Sequence, residues 1–138
     1  MTDDHETATI RAFVVAAKQE RYLYLLARPK RRSSLLHALA GRGDLDPRFT
    51  REIRPADHTV PRIARVLRDR GAPESCYVIS EQAKLDRHLL PLEDALQGVL
   101  GMGLGALLSC IPGQLGYFEG EMPGDRCLLE RLSGAPPR

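Results

Sequence analysis

Apolar residues recur at helical spacing through the first half of the chain and gather into short unbroken runs in the second. Tyr22, Leu25 and Leu26 share one face of a predicted helix over 18–28, which Pro29 ends. Upstream, Ile10, Phe13, Val14 and Ala17 fit the same period, yet residues 12–17 read equally well as extended chain. The polar Lys18-Gln19-Glu20-Arg21 interrupts the stripe there. A second helix is predicted over 29–40, with Pro29 in its first turn, Leu35, Leu36, Leu39 and Ala40 buried, and Gly41 as the stop. Residues 41–58 carry Gly, Asp and Pro signals and read as a connecting loop. A third helix spans 59–70, capped by Thr59, with Val60, Ile63, Val66 and Leu67 inward and Arg62, Arg65 and Arg68 toward water.

After residue 75 the period changes. Cys76-Tyr77-Val78-Ile79-Ser80 is a short apolar run of strand formers, hence a central strand. A loop to Leu90 leads to a helix over 91–100, with Glu93 and Asp94 near its positive end. Strand-like runs follow near 106–110, 115–119 and 126–132. Ile111-Pro-Gly-Gln114 and Met122-Pro-Gly-Asp125 separate them, each with Pro before Gly as a type II turn requires. These runs predict an antiparallel meander, preceded by a strand–helix–strand unit open to parallel pairing through a right-handed crossover. The expected fold is one α+β domain over residues 1–138: a mainly helical N-terminal half packed on a small mixed or antiparallel sheet. Residues 1–8 and 133–138 are expected to fray.

Composition narrows the class. A chain of 138 residues with 43% hydrophobic and 28% charged side chains suits one globular domain that needs no metal or disulfide. Aromatics make up only 5%, with no Trp, which argues against a surface built to stack bases. Cys76, Cys110 and Cys127 show no CxxC spacing and sit in apolar runs, as buried thiols in a reducing cytoplasm would. The start, Met1-Thr-Asp-Asp-His-Glu, is no signal peptide. Residues 95–118 contain no charge, but Pro112-Gly113, Gln97, Gln114 and six glycines point to strands and turns, not a membrane span.

Charge changes the picture most. Residues 11–73 hold 15 Lys and Arg against 6 Asp and Glu, whereas 74–138 hold 5 against 9. That polarity concerns partners, not fold. The sharpest feature is Arg28-Pro29-Lys30-Arg31-Arg32: a helix starting at Pro29 would carry three cations in its first turn, the wrong sign for the helix dipole. Unpaired amides and cations together would seat an anion. Arg28, Lys30, Arg31 and Arg32, extended by Arg62 and Arg65 if packing allows, are therefore the expected binding residues for an acidic protein surface or polyanion. Neutralisation of this run by the protein's own acidic half is the plainer alternative, and nucleic acid is another partner such a patch would serve. Pairing through apolar strand edges, including with a second copy of the chain, also stays open.

Catalytic signals are weak. Cys110 and Ser80 are placed at strand ends, with His88 or His58 as the only bases for a Cys110 nucleophile. Glu81, Asp86 and His88 share one loop and have the chemistry of metal ligands or acid–base partners, though such loop residues are usually just solvated. His5 and His37 suggest nothing in particular. Gly101-Met-Gly-Leu-Gly105 follows a helix and precedes a strand, the reverse of a phosphate-binding loop. Gly116 and Gly120 mark a bulge or close packing. The sequence predicts no cofactor and no resident metal, and a binding module more than an enzyme.

Overall fold

In the computed structural model, which describes residues 2–122 and 124–131, five helices cover both faces of a six-stranded sheet. The helices are α1 (Thr2–Phe13), α2 (Gln19–Leu26), α3 (Arg32–Arg42), α4 (Val60–Asp69) and α5 (Leu92–Val99). The strands are β1 (Thr50–Glu52), β2 (Ser75–Ser80), β3 (Leu89–Pro91), β4 (Ala106–Ile111), β5 (Leu115–Glu119) and β6 (Arg126–Glu130), in spatial order β1-β6-β5-β4-β2-β3. Every strand pairs antiparallel, so β2 and β4 do not form the parallel unit left open by the sequence. The cause is β3, which takes the last two residues of the expected loop and Pro91, the expected start of the helix, and reverses the chain once more before α5.

One face of the sheet presents Tyr77, Ile79, Leu107, Phe118 and Leu129 to Ile10 and Phe13 of α1, Tyr22, Leu25 and Leu26 of α2, and Leu35, Leu36 and Leu39 of α3. The other presents Val78, Leu108, Tyr117 and Leu128 to Ile63, Ala64 and Leu67 of α4 and to Leu92, Ala95, Leu96 and Val99 of α5. Burial on both sides explains why β2 and β4 read as unbroken apolar runs instead of alternating ones. The outermost strands, β1 and β3, are three residues long and carry Arg51, Glu52 and Pro91. Short, charged or proline-bearing edges resist edge-to-edge pairing.

Local chemistry accounts for the boundaries. Thr59 caps α4, its Oγ1 accepting from the Arg62 N–H at 3.3 Å, and Pro61 lies in the first turn. Both Pro-Gly turns close as expected: Gln114 N donates to Ile111 O at 2.9 Å and Asp125 N to Met122 O at 3.1 Å, with Gly113 and Gly124 at φ +73° and +86°. Gly116 lies beside the register shift between Ser109 and Ile111, where an added Cβ would stand 2.5 Å from the Leu108 carbonyl oxygen.

Other expectations are corrected. Gly41 lies inside α3, and Gly43 in the left-handed region supplies the stop. Residues 12–17 are neither one helix nor one strand. α1 ends at Phe13, Val14 makes an isolated bridge with Leu45, and 16–18 form a 3-10 turn. The N-terminus does not fray as a whole, since α1 begins at Thr2 and His5 stacks on Tyr77 with ring centroids 5.2 Å apart. The expected fraying of 133–138 lies outside the described residues. The uncharged stretch 95–118 divides among α5, a glycine turn, β4 and β5, and among the described residues no helix is long and apolar enough to cross a membrane.

Candidate functional site

The basic run separates into unlike parts. Pro29–Arg31 is a 3-10 turn, and α3 begins only at Arg32, so the three cations do not share a first helical turn. Arg32 is a correction outright: it is buried, 5% exposed, and faces inward. Its Nε donates to Asp86 Oδ2 at 2.7 Å, Nη1 to Glu6 Oε1 and the Leu26 carbonyl at 3.1 Å each, and Nη2 to Glu6 Oε2 at 2.8 Å and Asp86 Oδ1 at 2.9 Å. All five guanidinium N–H groups are thereby used within the protein, leaving none for an external anion. The carboxylates are held from behind, Glu6 by the Tyr77 hydroxyl and Asp86 by the Ser80 N–H at 3.0 Å. Burial alone would lower the Arg32 pKa, but the hydrogen bonds to Asp86 and Glu6 outweigh it and leave the pKa raised. Tyr77 is pushed up by burial and then by Glu6, so it remains a phenol.

Arg62 and Arg65 do not extend the patch, because α4 packs on the opposite face of the sheet from α2 and α3. Arg62 Nη1 pairs with Asp57 at 3.4 Å, and the shallow groove beside it is lined by Asp57 and Asp69 as well as by both arginines. Arg65 is exposed and has no ion-pair partner among the described residues, but the groove it lines sets two carboxylates against its two arginines.

Arg28, Lys30 and Arg31 remain exposed beside α2. The Arg28 guanidinium lies 3.6 Å over the Tyr24 ring, a cation–π contact that holds both side chains at the surface. Between α2 and α3 runs an open groove of about 580 Å³. Tyr24, Leu25 and Ala38 give it an apolar lining, and Arg21, Arg31, Ser34 and His37 a polar one, with no carboxylate. Neither Arg21 nor Arg31 has an ion-pair partner among the described residues. Arg21 was missed by the sequence because it is ten residues from Arg31 and interrupts an apolar stripe. Only the pairing of α2 with α3 brings the two together.

The weak catalytic candidates do not meet. Cys110 is 4% exposed and lies against Cys76, whose thiol pKa is raised by hydrogen bonding to Cys110 and by burial. His88 is exposed, its Nδ1 2.9 Å from the Asp86 carbonyl, and its backbone bonds to Val78 on the side of β2 away from β4. His58 is committed elsewhere, with Nε2 2.6 Å from Ile53 O and Nδ1 accepting from Arg126 at 3.0 Å. Ser80 is buried, its Oγ accepting from the Gln82 N–H.

Glu81, Asp86 and His88 also diverge. Asp86 turns to Arg32 and His88 to solvent, whereas Glu81 turns toward His37, which sequence spacing gave no reason to single out. His37 Nε2 stands 3.8 Å from Glu81 Oε1, and Nδ1 2.6 Å from Glu121 Oε2. The glycine turn 101–105 points amides at the protein's own carboxylates: Gly101 N–H donates to Glu119 at 2.6 Å and Gly105 N–H to Glu81 Oε2 at 3.0 Å. Those two amides are thereby occupied. Glu119, 2% exposed, also accepts from the Tyr117 hydroxyl at 2.7 Å and pairs with Arg126.

Comparison with known proteins finds no family model, no curated protein and no solved structure that matches the chain.

Proposed function

We propose that the protein is a non-catalytic binding module whose groove between α2 and α3 engages an acidic segment of a partner protein. One observation carries this reading. Arg21 and Arg31, both exposed and without internal counterions among the described residues, line the same groove as Tyr24, Leu25 and Ala38. Planar guanidinium forks suit carboxylates bidentately, and the apolar lining suits one hydrophobic anchor within an acidic stretch. Such a mixed lining fits a peptide better than a phosphate backbone, which calls for a continuous basic track. Arg28 and Lys30 lie just outside the groove, where they would steer encounter more than hold the bound partner.

The test is a titration of the full chain with a fluorescent Glu-rich peptide carrying one Leu, at several salt concentrations. Binding should weaken as salt rises, and Arg21→Glu with Arg31→Glu should weaken it roughly tenfold or more, equivalent to about 1.4 kcal/mol. Arg62→Glu with Arg65→Glu should leave it unchanged. Equal binding by the groove variant would refute the assignment. Tighter binding of a single-stranded oligonucleotide, lost with the same variant, would give the groove to nucleic acid instead.

A further inference from the structure

We propose that His37, Glu81 and Glu121 form a binding site for a divalent transition ion of the zinc class. The three residues come from α3, the segment after β2 and the segment after β5, and one ligand atom of each lies within 4.8 Å of the others. This inference is independent of the groove reading, although His37 borders that groove.

The charge balance carries the argument first. Glu81 and Glu121 have no Lys or Arg within ion-pair distance among the described residues; their shared partner is a single imidazole. A single imidazole cannot offset two carboxylates. A divalent cation removes that imbalance.

Geometry carries it second. Glu81 is only 11% exposed and is held in place by the Gly105 N–H on Oε2, which leaves Oε1 directed at His37. The remaining distance to His37 Nε2, 3.8 Å, is too long for a hydrogen bond. Two ligands of a tetrahedral zinc, each about 2.0–2.2 Å from it, stand roughly 3.3–3.5 Å apart. Glu81 faces Nε2 and Glu121 lies on Nδ1 at 2.6 Å, so the imidazole has to turn and Glu121 to draw back for one ring nitrogen to share an ion with both carboxylates. His37 is 61% exposed and Glu121 29%, and both are able to make that adjustment against the fixed Glu81. Gly105 matters here because a Cβ would stand 3.1 Å from that of Leu36 and 3.5 Å from Glu81 Oε2; its absence lets the turn close on the carboxylate.

The donor set selects the metal. One imidazole nitrogen and two carboxylates suit zinc and its neighbours, with water completing the tetrahedron. Calcium and magnesium favour all-oxygen shells of six or more ligands, which this site does not supply.

Calorimetric titration of the chelator-treated full chain with zinc chloride tests the site. One ion per chain is expected, with magnesium and calcium failing to compete at a hundredfold excess. His37→Ala, Glu81→Gln and Glu121→Gln should each weaken binding at least about tenfold, and Glu20→Gln, an exposed side chain on α2, should not. His37→Ala is on the surface, so an unchanged circular dichroism spectrum accompanies the expected loss. Cobalt substitution should give a spectrum without a thiolate charge-transfer band. Undetectable zinc binding, binding that survives His37→Ala, or a thiolate band assigning the ion to cysteine would each overturn the proposal.

Discussion

Arg32 shows how one residue inside a basic run can belong to the interior. Its side chain is 6% exposed and joins α3 to Glu6 of α1 and to Asp86 beyond β2. Removing one member of a buried pair leaves the other charges uncompensated, at a cost of roughly 3–5 kcal/mol. Arg32→Ala should therefore shift the urea midpoint strongly downward, and Arg32→Lys should not restore it, because an ammonium cannot supply five donors in a planar fork. A loss under about 1 kcal/mol on Arg32→Ala would show that the network contributes little. The inward direction of Arg32 was legible after all. It stands three and four residues before Leu35 and Leu36, on the apolar stripe of α3, and that periodicity outweighs the charge of its neighbours. Cys76 and Cys110 read correctly as buried for the same kind of reason, whereas Cys127 is only partly buried. Burial pushes the Cys127 thiol up to about 12, with Asp125 and Glu52 adding to the effect, so its thiolate is scarce at neutral pH. All three thiols should resist alkylation at pH 7 until the protein unfolds; one fast-reacting cysteine in the native state would contradict this.

At the level of elements, strong periodicity was enough and brevity was not. α4 was legible because its Thr-x-Pro start and its apolar stripe agree, and the cap was found where expected. Thr59→Ala should cost about 1 kcal/mol, read from thermal or urea unfolding, with α4 frayed at its first turn. An unchanged midpoint would mean that packing on the sheet alone sets that boundary. β1 and β3, by contrast, are Thr-Arg-Glu and Leu-Leu-Pro, too short to show any period. Missing β3 had a consequence beyond three residues. With one reversal left out, the run from β2 through α5 to β4 has even parity and implies parallel pairing; with β3 restored it must be antiparallel.

For the whole molecule, the sheet separates what the sequence had joined. The apolar pattern placed helices on a sheet but held no information about which face each would cover. Arg62 and Arg65 therefore read as neighbours of Arg31 until α4 was seen on the far side. The convergence of residues 37, 81 and 121 is likewise a product of topology, since each pair is separated by at least 40 positions in the chain. What survives at this scale is a basic groove between α2 and α3 and a surface of mixed charge on α4. The most direct measurement is amide chemical-shift mapping of the isotope-labelled chain as the Glu-rich peptide is added. The account predicts perturbations concentrated over α2, the 3-10 turn at Pro29–Arg31 and the first turns of α3, with α4 silent; shifts centred on α4, or spread evenly over both faces, would contradict it.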